Sequence, residues 1–358
     1  MDMDRPLWEF HLIEGLENNR FAIYMKTHHA MIDGMGAMRL IKQWLSKAPE
    51  TIGALAPWGL DLARKKQRRA RQQPDKPPGV TQRLRQQLDA SGQLVSKLRQ
   101  MADPGLNPEG GVIDSLHTPK SLFNQTISPQ RRLATQLYNV QRFKRIQQHT
   151  GATVNDISLA VVGGAVRRYL SELEVLPDDS IIASVPVALP RSSGDSGNAA
   201  VGFTCPLGTE LDEPLARLKN ITAITGRTKQ QLRELSPDAL AQFTVLGITP
   251  LMLGQMSGLG MRVPKLFNLV VSNVVATRHK LYLNGAELEA MYPISILFDG
   301  YALNITIVGY ADRIAVGFTG CRQSLPSLLR LAVYMGEAVA ELEACLVEQS
   351  GVALTEPI

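Results

Sequence analysis

The sequence has few cysteines and lacks a recognisable sorting signal. Its 358 residues include only Cys205, Cys321 and Cys345, which are far apart and odd in number. This spacing argues against a disulfide framework or a paired-cysteine metal site and is typical of a reducing compartment. The N-terminal residues MDMDRPLWEF have no basic stretch followed by an apolar run, so no secretory signal is predicted. We therefore expect a cytoplasmic protein.

Long apolar runs and two common catalytic motifs are also missing. Residues 239–261 carry no charge, but four glycines, one proline and two glutamines make them a poor spanning helix. The chain contains neither a Gly-x-Ser-x-Gly nucleophile elbow nor a His-Glu-x-x-His metal motif. Neither a serine nucleophile of the elbow type nor a zinc site is therefore predicted.

Positive charge is concentrated in one segment. The net charge is +5, but residues 64–85, RKKQRRARQQPDKPPGVTQRLR, hold nine Lys or Arg and one Asp, so the rest of the chain is net −3. A solvated linker would explain this basic segment, and so would attraction to anionic membrane lipid. Because no aromatic residue interleaves the segment to stack on bases, nucleic acid is not a predicted partner.

The pattern of apolar residues predicts an α/β fold. Hydrophobic residues make up 44% of the chain, as in an ordinary globular protein. Residues 5–29 read as two strands joined by a Gly/Asn-rich turn, and a helix follows Asp33-Gly34 to about Leu45. Other strands are predicted at 181–188, 199–205, 267–273, 302–309 and 313–319, and other helices from TVNDIS and from Pro326 to about Glu348. This mixture of strands and helices defines the α/β class.

These elements suggest three segments of unequal size. Residues 1–48 hold the first strands and helix, residues 49–121 form a basic, Pro- and Gln-rich connector, and residues 122–358 form the larger lobe. A lobe that folds alone usually needs roughly 100 residues. We therefore expect the first lobe to be incomplete and residues 1–48 to be a remnant of it.

Two adjacent histidines end the second predicted strand. Because neighbouring strand residues point to opposite faces, His29 is expected on the apolar face and His28 on the other. Burial would keep the His29 imidazole neutral, as a general base requires, and His28 would hold the strand end by hydrogen bonds. Asp33 is expected to orient the turn into the helix. A plain core histidine would explain one ring, but not the pair followed by Asp33-Gly34.

The residues around this motif resemble a known family. His28, His29, Asp33 and Gly34 match His-His-x-x-x-Asp-Gly, the signature of CoA-dependent acyltransferases built like chloramphenicol acetyltransferase. The blocks DRPLWEFHLIEGL, NDISLAVVGGAVRRYL, GNAAVGF, VVSNV, LYLNGAELEAMYPIS and DGYALNITIVGYADRIAVGFTGCR resemble the bacterial wax ester synthase/diacylglycerol acyltransferase family. They occur in order from residue 2 to about residue 345. The resemblance implies a two-lobe acyltransferase fold with a tunnel between the lobes.

The resemblance also implies a reaction and a set of site residues. His29 would deprotonate a fatty alcohol or diacylglycerol that attacks acyl-CoA, giving wax ester or triacylglycerol. Asn198 matches a family asparagine that could stabilise the oxyanion, although a turn beside Gly197 would explain it equally well. Asn155 and Asp156 match the family's Asn-Asp pair and are candidate substrate-binding residues, but helix capping would also explain them. No metal or redox cofactor is implied; acyl-CoA is a co-substrate.

One departure from the family pattern leaves other readings open. The family's Ser-Asn-Val-Pro-Gly-Pro run is altered here, because Ser272-Asn273-Val274 is followed by Val275-Ala276-Thr277. One alternative is a condensation-type acyltransferase that takes its acyl group from a carrier protein. A second alternative is an inactive remnant that binds lipid. On the main reading, the basic segment, residues 64–85, would hold the enzyme at a membrane or lipid-inclusion surface.

Overall fold

A computed structural model describes residues 4–29, 31–59, 118–188, 200–235 and 265–350, together with residues 239, 242 and 254. Two compact units are present. As far as these residues are described, unit 1 contains Met1–Gln72, Ala188–Ala200 and Lys280–Leu288, and unit 2 contains the rest of the chain.

Unit 1 is built on an antiparallel strand pair followed by one helix. The elements are β1 (Trp8–Leu16), β2 (Arg20–Thr27) and α1 (Gly34–Trp44). Phe10 pairs with Met25 and Leu12 pairs with Ile23, so these apolar side chains share one face. The turn between the strands uses left-handed backbone at Asn18 and Asn19, a conformation that asparagine tolerates well. The predicted strand-turn-strand-helix order is therefore confirmed.

A distant segment completes unit 1. The short strands β7 (Tyr282–Leu283) and β8 (Ala286–Glu287) form a hairpin. Tyr282 exchanges two backbone hydrogen bonds with Ser46, at 2.8 and 2.9 Å. The Asn284 side-chain oxygen accepts from the backbone N–H groups of residues 53 and 54, at 3.0 and 3.1 Å. These contacts fix the chain that follows α1.

Four aromatic rings pack against one another in unit 1. Phe10 meets Trp44 and Trp58 edge-on at 5.4 and 5.8 Å, and Trp8 stacks on Trp58 at 5.2 Å. Among the described residues of this unit, only Leu45 and Leu281 are buried. The unit therefore has a thin core.

Unit 2 is a six-stranded mixed sheet with helices. In the order β3-β10-β9-β6-β4-β5, its strands are β3 (Arg131–Asn139), β10 (Arg313–Cys321), β9 (Leu303–Tyr310), β6 (Leu269–Thr277), β4 (Ile182–Ala188) and β5 (Ala200–Pro206). The first three strands are antiparallel, whereas β9, β6 and β4 run parallel. The helices are α2 (Val140–Thr150), α3 (Val154–Glu172), α4 (Pro214–Arg233) and α5 (Leu329–Ser350).

Most buried apolar residues of unit 2 form one large core. Helix α3 packs against α4 and α5 and is apolar around its whole circumference, so most of its middle turns are buried. Strand β9 is buried on both faces. Two glycines permit close approach here: a Cβ on Gly163 would lie 2.1 Å from the Leu207 carbonyl oxygen, and one on Gly317 would lie 1.9 Å from the Pro293 carbonyl oxygen.

The structure confirms the predicted α/β class and each predicted strand and helix. Sequence reasoning missed β3, α2 and α4 as well as the β7–β8 hairpin. No helix in the described part of the chain combines the length and apolar character that crossing a bilayer demands. Most of the uncharged segment 239–261 lies outside the described residues.

Candidate active site

The two histidines lie in the turn between β2 and α1, not within the strand. Strand β2 ends at Thr27. The His28 N–H donates to the Leu7 carbonyl at 2.8 Å, and the His28 carbonyl accepts from the N–H of Met31 at 2.9 Å. His28 therefore extends the ladder to β1 by one bond and starts the turn. The backbone of His28 holds the strand end, and the role of its side chain stays a prediction.

The expected burial of His29 is wrong. His29 is exposed and His28 is half-buried. Alternate side chains point to opposite faces only as far as Thr27, where β2 ends and the backbone turns. The face expected for His29 by counting along the strand is therefore not the one it takes. An exposed imidazole can be reached by a substrate hydroxyl, as a general base must be.

Asp33 anchors the other end of the turn. It is the N-cap of α1, and its carboxylate accepts from the Gly36 N–H at 2.6 Å while its carbonyl accepts from the Ala37 N–H at 2.8 Å. Gly34 is the first residue of the helix. The prediction that Asp33 orients the turn is confirmed.

Sequence reasoning missed the contribution of Gly36. A Cβ at this position would lie 2.7 Å from Ile32 Cγ1 and 3.0 Å from the Asp33 carboxylate. The missing side chain therefore lets the Asp33 cap close tightly. The spacing Gly34-x-Gly36 was visible in the sequence, but only the cap geometry reveals why the second glycine is needed.

Unit 2 carries a second cluster at the start of α3. Thr153 and Asp156 form a reciprocal capping box, in which the carboxylate accepts from the Thr153 N–H at 3.0 Å and from its hydroxyl at 2.6 Å. The other carboxylate oxygen accepts from the Thr225 hydroxyl at 2.7 Å and lies 3.6 Å from Lys229 Nζ. Because both oxygens of this buried carboxylate are engaged, the contacts favour capping for Asp156. Its substrate-binding role stays a prediction.

Asn155 links α3 to the sheet. Its Oδ1 accepts from Nδ2 of Asn273 on β6 at 3.3 Å, and both side chains are half-buried. The contact joins two of the blocks quoted above, NDIS and VVSNV. Strand β6 continues through Val275 to Thr277, where it pairs with β9 across a bulge. Asn198, the predicted oxyanion donor, lies outside the described residues.

A cleft opens beside the α3 capping box within unit 2. It encloses about 570 Å³, and its lining includes Thr153, Asp156, Thr225, Lys229 and Arg233. Across the described ranges, no three His, Cys, Asp or Glu side chains gather as a metal site would require.

The buried cysteines are poor nucleophile candidates. Burial raises the pKa of the Cys205 thiol to about 12, and the Asp156 carboxylate adds to that increase. Burial opposes ionisation of Cys321 too, but hydrogen bonds from Ser324 and Ser128 outweigh it and lower its pKa to about 6. Both side chains are fully inaccessible, so neither thiol can meet a substrate.

Two domain families match the chain. Residues 1–158 match the wax ester synthase/diacylglycerol acyltransferase catalytic domain, and residues 196–343 match the C-terminal domain of the same family. Together, these two matches include His28, His29, Asp33, Asn155 and Asn198. The resemblance noted in the sequence is therefore confirmed.

Individual relatives agree with this result. A Mycobacterium tuberculosis protein named as a candidate diacylglycerol O-acyltransferase is 44% identical over 346 residues, covering 96% of this chain and 75% of the relative. The O-acyltransferase WSD of Acinetobacter baylyi is 36% identical over 354 residues, covering 98% and 76%.

A solved structure supports the fold. The wax ester synthase/diacylglycerol acyltransferase from Marinobacter aquaeolei VT8 superimposes with a TM-score of 0.72 at 32% identity, covering 97% of this chain and 74% of that one. The expected α/β acyltransferase fold is thereby confirmed.

Proposed function

Because this chain belongs to the wax ester synthase/diacylglycerol acyltransferase family, we propose that His29 is the general base of its acyl transfer. The family and the relatives make the chain an acyl-CoA-dependent O-acyltransferase. The proposed acceptor is a fatty alcohol or diacylglycerol, giving wax ester or triacylglycerol.

The proposed reaction needs one base that later acts as an acid. A nitrogen of the His29 imidazole takes the proton of the acceptor hydroxyl as the oxygen attacks the thioester carbonyl. The resulting tetrahedral oxyanion collapses, the carbon–sulfur bond breaks, and the ester is released. The imidazolium then returns its proton to the departing sulfur, giving free CoA. No resident metal or redox group takes part in this scheme.

The observation that carries this proposal is the construction of the histidine turn. His28 fixes the turn at the strand end through its bond to Leu7, and Asp33 fixes it at the helix start through its bond to Gly36. Between these anchors, His29 is exposed. This geometry supports different roles for the motif residues: His29 acts in chemistry, whereas His28, Asp33 and Gly34 hold the turn.

The test is ester formation by the purified chain. Radiolabelled hexadecanoyl-CoA is supplied with hexadecanol or with dihexadecanoylglycerol, and the labelled ester is quantified. Loss of a general base should reduce the rate of His29→Ala by about 10²- to 10⁴-fold. His11→Ala is the matched control, because His11 is an exposed histidine on β1 of the same unit. It should retain the wild-type rate.

Several outcomes would contradict the proposal. Ester formation by His29→Ala at the wild-type rate would exclude His29 as the base. A folded wild-type chain that makes no ester would favour the lipid-binding remnant. Ester formation only when the acyl group is presented on a carrier protein would favour the condensation-type alternative.

Peripheral contact with a lipid surface is a second part of the proposal. The basic segment, residues 64–85, follows three exposed apolar side chains of unit 1, Ile52, Leu55 and Trp58. Basic residues that follow exposed apolar ones in the sequence suit the surface of an anionic membrane, where each cation contributes about 1 kcal/mol. The water-insoluble substrates would be available at such a surface.

Vesicle sedimentation tests this lipid contact. The wild type should pellet with phosphatidylglycerol vesicles and much less with phosphatidylcholine vesicles. Replacing Lys65, Lys66, Arg68 and Arg69 by Gln should weaken the binding at least tenfold, since about four favourable charge contacts are lost. Unchanged sedimentation of this variant would contradict a role for the basic segment.

A further inference from the structure

The side-chain bond between Asn155 and Asn273 fixes the orientation of one amide group. Asn273 donates through Nδ2 to Oδ1 of Asn155. An asparagine amide has one accepting oxygen and one NH₂ group with two donors. With its oxygen held by Asn273, the Asn155 amide must turn its NH₂ group elsewhere. Among the described residues, none accepts a hydrogen bond from that NH₂ group.

The backbone around Asn155 is held equally firmly. Asn155 lies in the first turn of α3, between the two members of the capping box, Thr153 and Asp156. The Asp156 carboxylate also accepts from Thr225 on α4. The position of Asn155 is therefore fixed by its own helix and by a neighbouring one, and its half-buried NH₂ group is oriented in advance.

Asn273 occupies an unfavourable place for its residue type. It lies in the middle of β6, paired with Ile307 of β9, and asparagine is depleted in strands. Among the residues that the structure describes, its side chain bonds only to Asn155. A sheet strand is a rigid support, which suits a residue whose task is to hold another side chain in place.

We infer that Asn273 is a positioning residue, which turns the Asn155 amide so that its Nδ2 donates to a carbonyl oxygen of acyl-CoA. The inference rests on the proposed function for the identity of the substrate. Acyl-CoA offers carbonyl acceptors in its thioester and in the two amides of its pantetheine arm. A neutral amide donor suits such uncharged oxygens, whereas phosphate groups favour Arg or Lys.

Two aspartate variants separate this role from a purely structural one. Asn155→Asp keeps an oxygen for Asn273 to donate to, but it offers the substrate an acceptor in place of a donor. Asn273→Asp can only accept, so the Asn155 amide must flip and present its oxygen to the substrate. Both variants retain a bond between α3 and β6, and both remove the donor that the substrate needs.

The primary measurement is the dissociation constant of hexadecanoyl-CoA by calorimetry, without acceptor alcohol. In both aspartate variants, an oxygen at position 155 would face the carbonyl oxygen of acyl-CoA, and neither can donate. The affinity for hexadecanoyl-CoA should therefore fall by about 10- to 100-fold, with unchanged thermal stability. Asn273→Ala leaves the Asn155 amide free to rotate and should weaken binding only a few-fold. Asn220→Asp, which adds the same charge to a half-buried asparagine of α4, should bind like the wild type.

The relative acyl-CoA affinities of Asn273→Asp and Asn273→Ala distinguish a positioning role from a structural one. A structural role predicts that Asn273→Asp binds better than Asn273→Ala, because it keeps the inter-element bond. The proposed role predicts the reverse order, together with a higher KM for acyl-CoA and an unchanged KM for the alcohol. Wild-type affinity in both aspartate variants would overturn the inference. Because binding is measured without turnover, this result is independent of whether the wild type forms ester.

Discussion

The two units of this enzyme differ sharply in how much apolar surface they bury. Unit 2 has one large core to which all of its described sheet strands and helices contribute, and a smaller apolar cluster at Ile182, Phe267 and Tyr301. In the described part of unit 1, only Leu45 and Leu281 are buried. Yet unit 1 carries the histidine motif, and it holds that motif by backbone bonds and a helix cap. Stability and the proposed chemistry are therefore concentrated in different units.

This difference has a direct energetic meaning. Fully burying a large aliphatic side chain stabilises a protein by about 1.5–3 kcal/mol, so unit 2 gains many such contributions and unit 1 gains few. A two-stranded sheet is marginal by itself. Regions with few buried contacts open more easily than the rest of a protein. We therefore expect unit 1 to lose its structure under milder conditions than unit 2.

The same isoleucine truncation in each unit gives the largest contrast. Ile305 on β9 is fully buried in the core of unit 2, whereas Ile23 on β2 is half-buried. Ile305→Ala should lower the unfolding free energy of unit 2 by about 2–5 kcal/mol, because it removes buried methylene groups and leaves a cavity. Ile23→Ala should cost unit 1 less than about 1 kcal/mol, since water already reaches that side chain.

The placement of tryptophan makes the contrast measurable. All three tryptophans, Trp8, Trp44 and Trp58, belong to unit 1, so their fluorescence reports on that unit. Far-UV circular dichroism is dominated by the helices of unit 2. In urea, the fluorescence transition should precede the dichroism transition. Ile23→Ala should shift only the first transition and Ile305→Ala chiefly the second. Coincident transitions in all three proteins would show that the units unfold as one.

Sequence patterns predicted the best-buried elements of the fold and missed the more polar ones. Strands β9 and β10 are rich in β-branched residues and were found within two residues of their ends. Strand β3 was missed because it is an edge strand, paired in the described sheet only with β10, and it lacks an apolar/polar alternation: Arg131, Thr135 and Gln136 are exposed, and so is the apolar Leu133. Helix α2 is short and mostly polar, with only Phe143 and Ile146 buried, and the buried side of α4 includes Thr225 and Thr228, so neither helix presents a continuous apolar stripe.

The site shows a similar limit. The spacing from His28 to Gly34 located the motif, and Asp33 was assigned its orienting role. The exposure of His29 was not predictable from strand alternation, because a single turn after Thr27 cancels the pattern. The bond from Asn155 to Asn273 joins residues 118 positions apart. The pairing of Ser46 with Tyr282 is more distant still, and nothing local in either segment encodes it.

Removing one helix cap from each unit compares the two units again, with a smaller expected loss of stability than the isoleucine truncations. Asp33 caps α1 in unit 1 and accepts from the Gly36 N–H at 2.6 Å, and Asn139 caps α2 in unit 2 and accepts from the Gln141 N–H at 2.8 Å. Truncating either cap to Ala should cost about 1 kcal/mol. In Asn139→Ala, this loss should appear in the dichroism transition, with no change in ester formation.

In Asp33→Ala, loss of the cap should instead lower the rate of ester formation. The turn that carries His29 loses its anchor at the helix start, and small misplacements of a reacting group are costly to the rate. Ester formation should therefore fall at least tenfold while the dichroism transition stays in place. Asp33→Asn keeps an accepting oxygen and should restore most of the activity if Asp33 only positions the turn. If Asp33→Asn is as inactive as Asp33→Ala, the carboxylate charge itself contributes to the reaction, and the division between a chemical His29 and a structural Asp33 is wrong.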